Sequence, residues 1–137
     1  MKNFKSVAEA AVSDLLGKTL TAIDVLRGCD DDWSKGRDMI VFTCGDGSRY
    51  LMYHYQDCCE EVVIKDITGD PATLIGSPLV MAEEVSSERR EVQNGTETWT
   101  FYKFANEAGH YVTISWLGES NGYYSETVDF GRIEEEL

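Results

Sequence analysis

The chain has 137 residues, enough to enclose one hydrophobic core and too few for two. Hydrophobic residues make up 42% and charged residues 27%, a globular composition that excludes an intrinsically disordered chain. Twelve Lys and Arg against 25 Asp and Glu give a net charge of −13. Such a field repels phosphate, which argues against direct nucleic-acid or membrane contact and favours basic partners.

In chain order, Ser6-Val7-Ala8-Glu9 matches a capping box. Phe4, Val7, Ala8, Ala11, Leu15 and Leu16 recur at helical spacing, which predicts a helix from about Val7 to Leu16. Gly17 stands where a left-handed C-terminal cap belongs, and Thr19 to Leu26 then has strand composition. Gly28 to Asp38, with Asp30-Asp31-Asp32, Trp33 and Gly36, has neither periodicity and is predicted as a loop anchored by Trp33. Met39 to Thr43 and Arg49 to His54 are β-rich runs joined by Gly45-Asp46-Gly47-Ser48, the firmest hairpin in the chain.

Val62 to Ile67 is a further predicted strand. Asp70 then caps a short helix with Pro71 at its first position and Gly76 at its end, and Leu79 to Ala82 returns as a strand. Ser86 to Thr96 is polar and ends in Asn-Gly, so it is expected as an exposed hairpin connection or loop; Asn94-Gly95-Thr96 fits a glycosylation sequon but serves as a turn. Glu97 to Ala105, His110 to Leu117 and Tyr124 to Phe130 are predicted as a three-stranded meander. Within it Trp99 and Phe101 share one face, and Val112, Ile114 and Trp116 share a face of the next strand. Residues 131–137 read as an acidic tail.

The sum is a single α+β domain over residues 1–137: an N-terminal helix on a curved, mainly antiparallel sheet of about seven strands, with one short additional helix. No apolar stretch resembles a secretory signal or a membrane span, so a reducing cytoplasm is expected, where Cys29, Cys44, Cys58 and Cys59 would be buried thiols. The chain up to Ile67 carries eight basic and twelve acidic residues, and the remainder four and thirteen. The negative field is therefore strongest in the C-terminal half.

Two clusters stand out chemically. His54-Tyr55-Gln56-Asp57-Cys58-Cys59-Glu60-Glu61 offers imidazole, thiol and carboxylate within eight residues. A zinc site would need His54, Cys58 and a third ligand from Cys29 or Cys44, yet adjacent cysteines lack the usual two-to-four-residue ligand spacing. A cysteine nucleophile activated by His54 or His110 is disfavoured by carboxylates that would raise a thiol's pKa. The plainer reading puts Cys58 or Cys59 in the core, with Gln56, Asp57 and Glu60 satisfying backbone groups at a corner.

The second cluster, Trp116-Leu117-Gly118-Glu119-Ser120-Asn121-Gly122-Tyr123-Tyr124-Ser125, surrounds a turn with aromatic and short polar side chains. That mixture suits recognition, because aromatics give large contact area at small entropic cost. Its plainer reading is a hairpin with inward-packed aromatics. Neither cluster is a catalytic constellation. The binding candidates are His54, Gln56, Asp57, Glu60, Trp116, Glu119, Ser120, Asn121, Tyr123 and Tyr124, with no catalytic residue, metal ligand or cofactor assigned.

These clusters, with Asp66-Ile67-Thr68-Gly69-Asp70, Ala82-Glu83-Glu84 and Thr98-Trp99-Thr100-Phe101-Tyr102, resemble an uncharacterised family of small proteins frequent in bacteriophage and prophage genomes. The resemblance covers Gly17 to Phe130 and transfers no activity. It implies a viral or prophage setting, where small acidic proteins bind and inactivate host defence components. The functional expectation is a non-enzymatic module that engages a host protein with a basic surface. A second class is a homo-oligomer that sequesters a small nucleotide between Trp116, Tyr123, Tyr124 and the polar groups near His54. A metal-dependent hydrolase using His54 and Asp57 ranks last.

Overall fold

The computed structural model describes residues 4–29 and 37–136. Among them are ten strands: β1 (Phe4–Glu9), β2 (Leu20–Cys29), β3 (Arg37–Cys44), β4 (Arg49–Tyr53), β5 (Glu61–Thr68), β6 (Leu79–Ser86), β7 (Arg90–Val92), β8 (Gly95–Asn106), β9 (Tyr111–Ser120) and β10 (Asp129–Glu136). They form two antiparallel sheets, ordered β1-β10-β4-β3-β2 and β5-β9-β8-β6, with β7 also paired to β8.

The sheets pack face to face because each strand alternates apolar and polar residues. Thr98, Thr100, Tyr102, Phe104 and Asn106 of β8 point inward, as do Val112, Ile114 and Trp116 of β9. Ile40 and Phe42 of β3, Met52 of β4 and Phe130 of β10 meet them from the other sheet. Phe42 lies 5.5 Å from Phe104 between ring centres, and the buried Trp116 indole donates to the Met52 sulfur at 3.2 Å. A second cluster, Met39, Val41 and Leu51, lies on the opposite face of the first sheet under Val7, Leu26, Tyr53 and Ile133.

The expected α+β architecture is not what forms. Among the described residues helical structure is limited to two 3₁₀ turns, Val12–Leu15 and Pro71–Leu74. The predicted N-terminal helix is replaced by β1 and the first of these turns. Its apolar residues divide between two burials: Val7 packs on the outer cluster of the first sheet, whereas Val12 and Leu15 enter the main core and Leu16 stays exposed. A lone ten-residue helix is marginal in water, whereas β1 completes a sheet edge against β10. Gly131 admits this pairing, since a Cβ there would lie 2.2 Å from Val7 Cγ1. The capping residue is also shifted, for Asp14, not Ser6, bonds the start of the turn through the Ala11 amide.

The three-stranded meander is the second correction. β8 and β9 pair as expected, but residues 121–128 are irregular and the next strand, β10, joins the first sheet between β1 and β4. Through Glu136 the supposed acidic tail is therefore backbone of that sheet. Ser86 to Thr96 is likewise largely strand, its β7–β8 turn closed by Asn94 in the left-handed region at φ 68°. The β3–β4 hairpin, the left-handed Gly17, and the Asp70-capped turn ending at Gly76 lie where the sequence placed them. Trp33 and its acidic neighbours lie outside the described residues.

One end of the sandwich is closed by the two 3₁₀ turns and by the backbone bonds Gly17 N to Leu79 O and Gly76 N to Leu20 O. At the other end the chain crosses between sheets, through residues 54–60 after β4 and through 121–128 before β10. No described helix is long and apolar enough to cross a membrane.

Candidate functional site

Both sequence clusters are these crossings. In the first, the Glu60 carboxylate is 1% exposed and organises the loop. Its Oε2 accepts from the Asp57 amide at 2.8 Å and its Oε1 from the Cys58 amide at 2.9 Å, while Gln56 Nε2 donates to the Glu60 carbonyl at 2.6 Å. His54 is 2% exposed, its Nε2 2.8 Å from Glu60 Oε2 and its Nδ1 2.7 Å from the Thr127 carbonyl. Burial pushes the Glu60 pKa up, but the Asp57 amide, His54 and the Cys58 amide outweigh it and hold the group at about 2. The Thr127 carbonyl only accepts hydrogen bonds, so Nδ1 donates to it, and Nε2 is taken up by Glu60. With both ring nitrogens so engaged, neither faces a metal ion or a substrate.

The second crossing is organised by Glu126, which is 3% exposed. Its carboxylate accepts from Arg89 Nη2 at 3.0 Å and Thr98 Oγ1 at 2.9 Å, and from the hydroxyls of Thr96 and Ser120. Burial again acts upward, and the donors, led by Arg89, again bring the pKa down to about 2. Asn121 Oδ1 accepts the Tyr123 amide and Ser120 Oγ the Gly122 amide, forming the turn. Two glycines let the crossing lie flat on the sheet: a Cβ on Gly118 would be 2.2 Å from the Glu126 carbonyl oxygen, and one on Gly95 would be 2.0 Å from that of Ser120.

The crossings meet. The His54 bond to the Thr127 carbonyl joins them directly, and Glu61 of β5 sits opposite Glu119 of β9. Between them lies a cleft of about 370 Å³, walled by Cys59, Glu61, the β7–β8 turn at Gln93 to Thr96, Glu119, Asn121 and Tyr124. A family model described as a domain of unknown function, DUF7448, matches residues 13–130. The chain belongs to this family. No curated protein and no solved structure matches it.

In this DUF7448 domain the ten sequence-selected residues divide sharply. Trp116, His54, Gln56 and Glu60 are buried, Trp116 in the main core and the others in the first crossing. Ser120 and Asn121 are committed to the turn. Asp57, Glu119 and Tyr123 face solvent, and Tyr124 is half-buried with its ring edge-on to Tyr123 at 5.0 Å. Cys58 and Cys59 are exposed and joined as a disulfide, so neither fills the core as a thiol. Among the described residues no group of three or more His, Cys, Asp or Glu side chains is placed to hold a metal ion.

Sequence reasoning missed Glu126, Arg89, Thr96, Thr98 and the two glycines. Glu126 carried a usable signal, as the one acidic residue within an otherwise neutral run from Ser120 to Val128. Arg89 did not, since its partner lies 37 positions away.

Also missed was a row across the outer face of the second sheet. Glu61, Glu119 and Glu97 are in register on β5, β9 and β8. Glu97 is tied to Arg90 and to the Trp99 indole, each at 3.0 Å. Beside the row, Trp99 and Phe101 stack at 6.0 Å, with Leu117 opposite Trp99 and Val63 opposite Leu117.

Proposed function

We propose that the protein is a non-enzymatic binding module that engages a basic surface of another protein through the cleft and the adjoining outer face of the second sheet. The observation that carries the reading is the in-register glutamate row, with Glu61 and Glu119 exposed at the cleft. A Lys or Arg from a partner, set beside Glu119 at the cleft, would form charge-assisted hydrogen bonds with its exposed carboxylate. Tyr55 at 61% and Tyr123 at 83% exposure add large, stiff contact surfaces at the same end of the molecule. The net charge of −13 would steer a basic partner toward them.

Support also comes from what is occupied. His54, Glu60 and Glu126, the buried ionisable groups of the two crossings, are each bonded inward. In the phage or prophage setting implied by the sequence resemblance, the partner is a host defence protein whose basic nucleic-acid channel the module covers. Sequestration of a nucleotide has less support, since Trp116 and His54 are sealed and the cleft carries carboxylates where phosphates would sit.

The test is capture from bacterial lysate on immobilised protein, in parallel with a Glu61→Lys/Glu119→Lys variant. Basic proteins should be retained by the wild type at low salt, released as salt rises, and absent from the variant. Retention of the same proteins by the variant, or no specific retention at low salt, overturns the reading.

A further inference from the structure

Adjacent cysteines can close on each other only through a small ring that includes the peptide bond between them. Cys58 and Cys59 do so at the tip of the first crossing, where both are exposed. The backbone around the ring is held on both sides: Glu60 accepts the Cys58 amide, and Gln56 Nε2 donates to the Cys58 carbonyl at 3.2 Å. Cys59 forms part of the cleft wall. Exposure makes a disulfide accessible to exchange, in contrast with the buried free thiol of Cys44, which burial pushes toward the protonated form.

We propose that Cys58–Cys59 is a thiol–disulfide exchange site, opened by an external dithiol and closed by an external disulfide, and that opening it loosens the loop that walls the cleft. A reductant thiolate attacks the Cys59 sulfur from the cleft side, forming a mixed disulfide as the S–S bond breaks and Cys58 leaves as a thiolate. The reductant's second thiolate attacks its own sulfur in that mixed disulfide and closes a ring in the reductant. Cys59 is released as the second thiolate. Two electrons pass to the protein, and the two protons shed by the reductant thiols end on Cys58 and Cys59. Closure is the reverse.

The surroundings also select the reagent. Asp57, Glu61 and Glu119 are exposed around the pair on a chain of charge −13, so an anionic thiol is repelled and a neutral dithiol approaches freely. Opening the ring removes its constraint on both side chains. The Asp57 and Cys58 amides then depend on Glu60 alone.

Trypsin isolates the pair, because residues 50–65 lie between Arg49 and Lys65 and hold no other cysteine. Native wild-type protein is treated with dithiothreitol or with glutathione at matched thiol concentration, alkylated, digested and weighed. The untreated peptide should resist alkylation and weigh two hydrogens less than the dithiol form. After dithiothreitol it should carry two alkyl groups, after glutathione fewer, and the gap should narrow as salt rises. Hydrogen exchange at the Asp57 and Cys58 amides should speed up at least about threefold on reduction, as local opening becomes easier. A peptide already doubly alkylated after air or disulfide treatment, a disulfide reduced only in denaturant, or unchanged amide exchange overturns the proposal. The partner-binding reading is untouched by these outcomes, since none of them measures a partner.

Discussion

Replacing Glu126 with Gln keeps the shape of the side chain and removes its charge. In the native protein this carboxylate is 3% exposed and receives hydrogen bonds from Arg89, Thr96, Thr98 and Ser120. Burial raises its pKa, and the donors, led by Arg89, lower it further, from 4.5 to about 2. At roughly 1.4 kcal/mol per pH unit that gap corresponds to about 3 kcal/mol. Arg89 is 44% exposed, so solvent screens part of its share and about 2–3 kcal/mol is the expected loss at pH 7. The folded pKa lies below the unfolded one, so the contribution is complete above about pH 5 and disappears as pH falls through about 2. Urea denaturation of both proteins from pH 7 to pH 2 tests this. The variant should be weaker at pH 7, and the two curves should converge in acid; Glu60 titrates over the same range in both proteins and cancels. Equal stability at pH 7, or a difference that does not shrink toward pH 2, refutes the reasoning.

Gly118→Ala should destabilise by about 3 kcal/mol or more, since the new methyl meets the Glu126 backbone rather than a movable side chain; an unchanged melting temperature would falsify the close-packed crossing. His54→Phe, similar in size but without donors, removes one partner of the buried Glu60 and the side-chain donor to the Thr127 carbonyl, and should cost about 3–5 kcal/mol in urea denaturation. Tyr123→Ala should leave stability within about 0.5 kcal/mol, because the ring is 83% exposed, while weakening partner capture; a large drop in stability would show the ring to be structural.

Legibility in the sequence followed the range of the interactions. The β3–β4 hairpin, the left-handed Gly17 and the Asp70 cap are local devices, decided by residues within a few positions of one another. The N-terminal helix was misread because helical spacing and strand burial are not separable when the partner strand lies more than 120 residues downstream, as β10 does from β1. The same limit hid the switch of β10 between sheets. Strand composition places Phe130 in a strand but does not show which sheet has an open edge. In the candidate site, the clusters were visible from composition. Their orientation was not, because whether a His or Trp points inward depends on the opposing sheet.

The two segments richest in polar and aromatic residues are the two places where the chain passes between sheets at one end of the sandwich. Each passage exposes backbone amides that no strand can satisfy, and each is served by a buried carboxylate: Glu60 for Asp57 and Cys58, and Glu126 for the hydroxyls that fix the Ser120 turn. A buried carboxylate needs hydrogen-bonding partners that offset its burial, which explains His54 against one and the Arg89 cation against the other. The distinctive side chains of both segments therefore serve topology first. What remains for recognition is the residue of that construction: the tyrosines displaced outward by the turn, and the glutamates brought abreast where Glu61, Glu119 and Glu97 meet in register. The fold at this end should tolerate exchange of the exposed residues and fail when the buried carboxylates beneath them are changed, because only the latter hold the crossings in place.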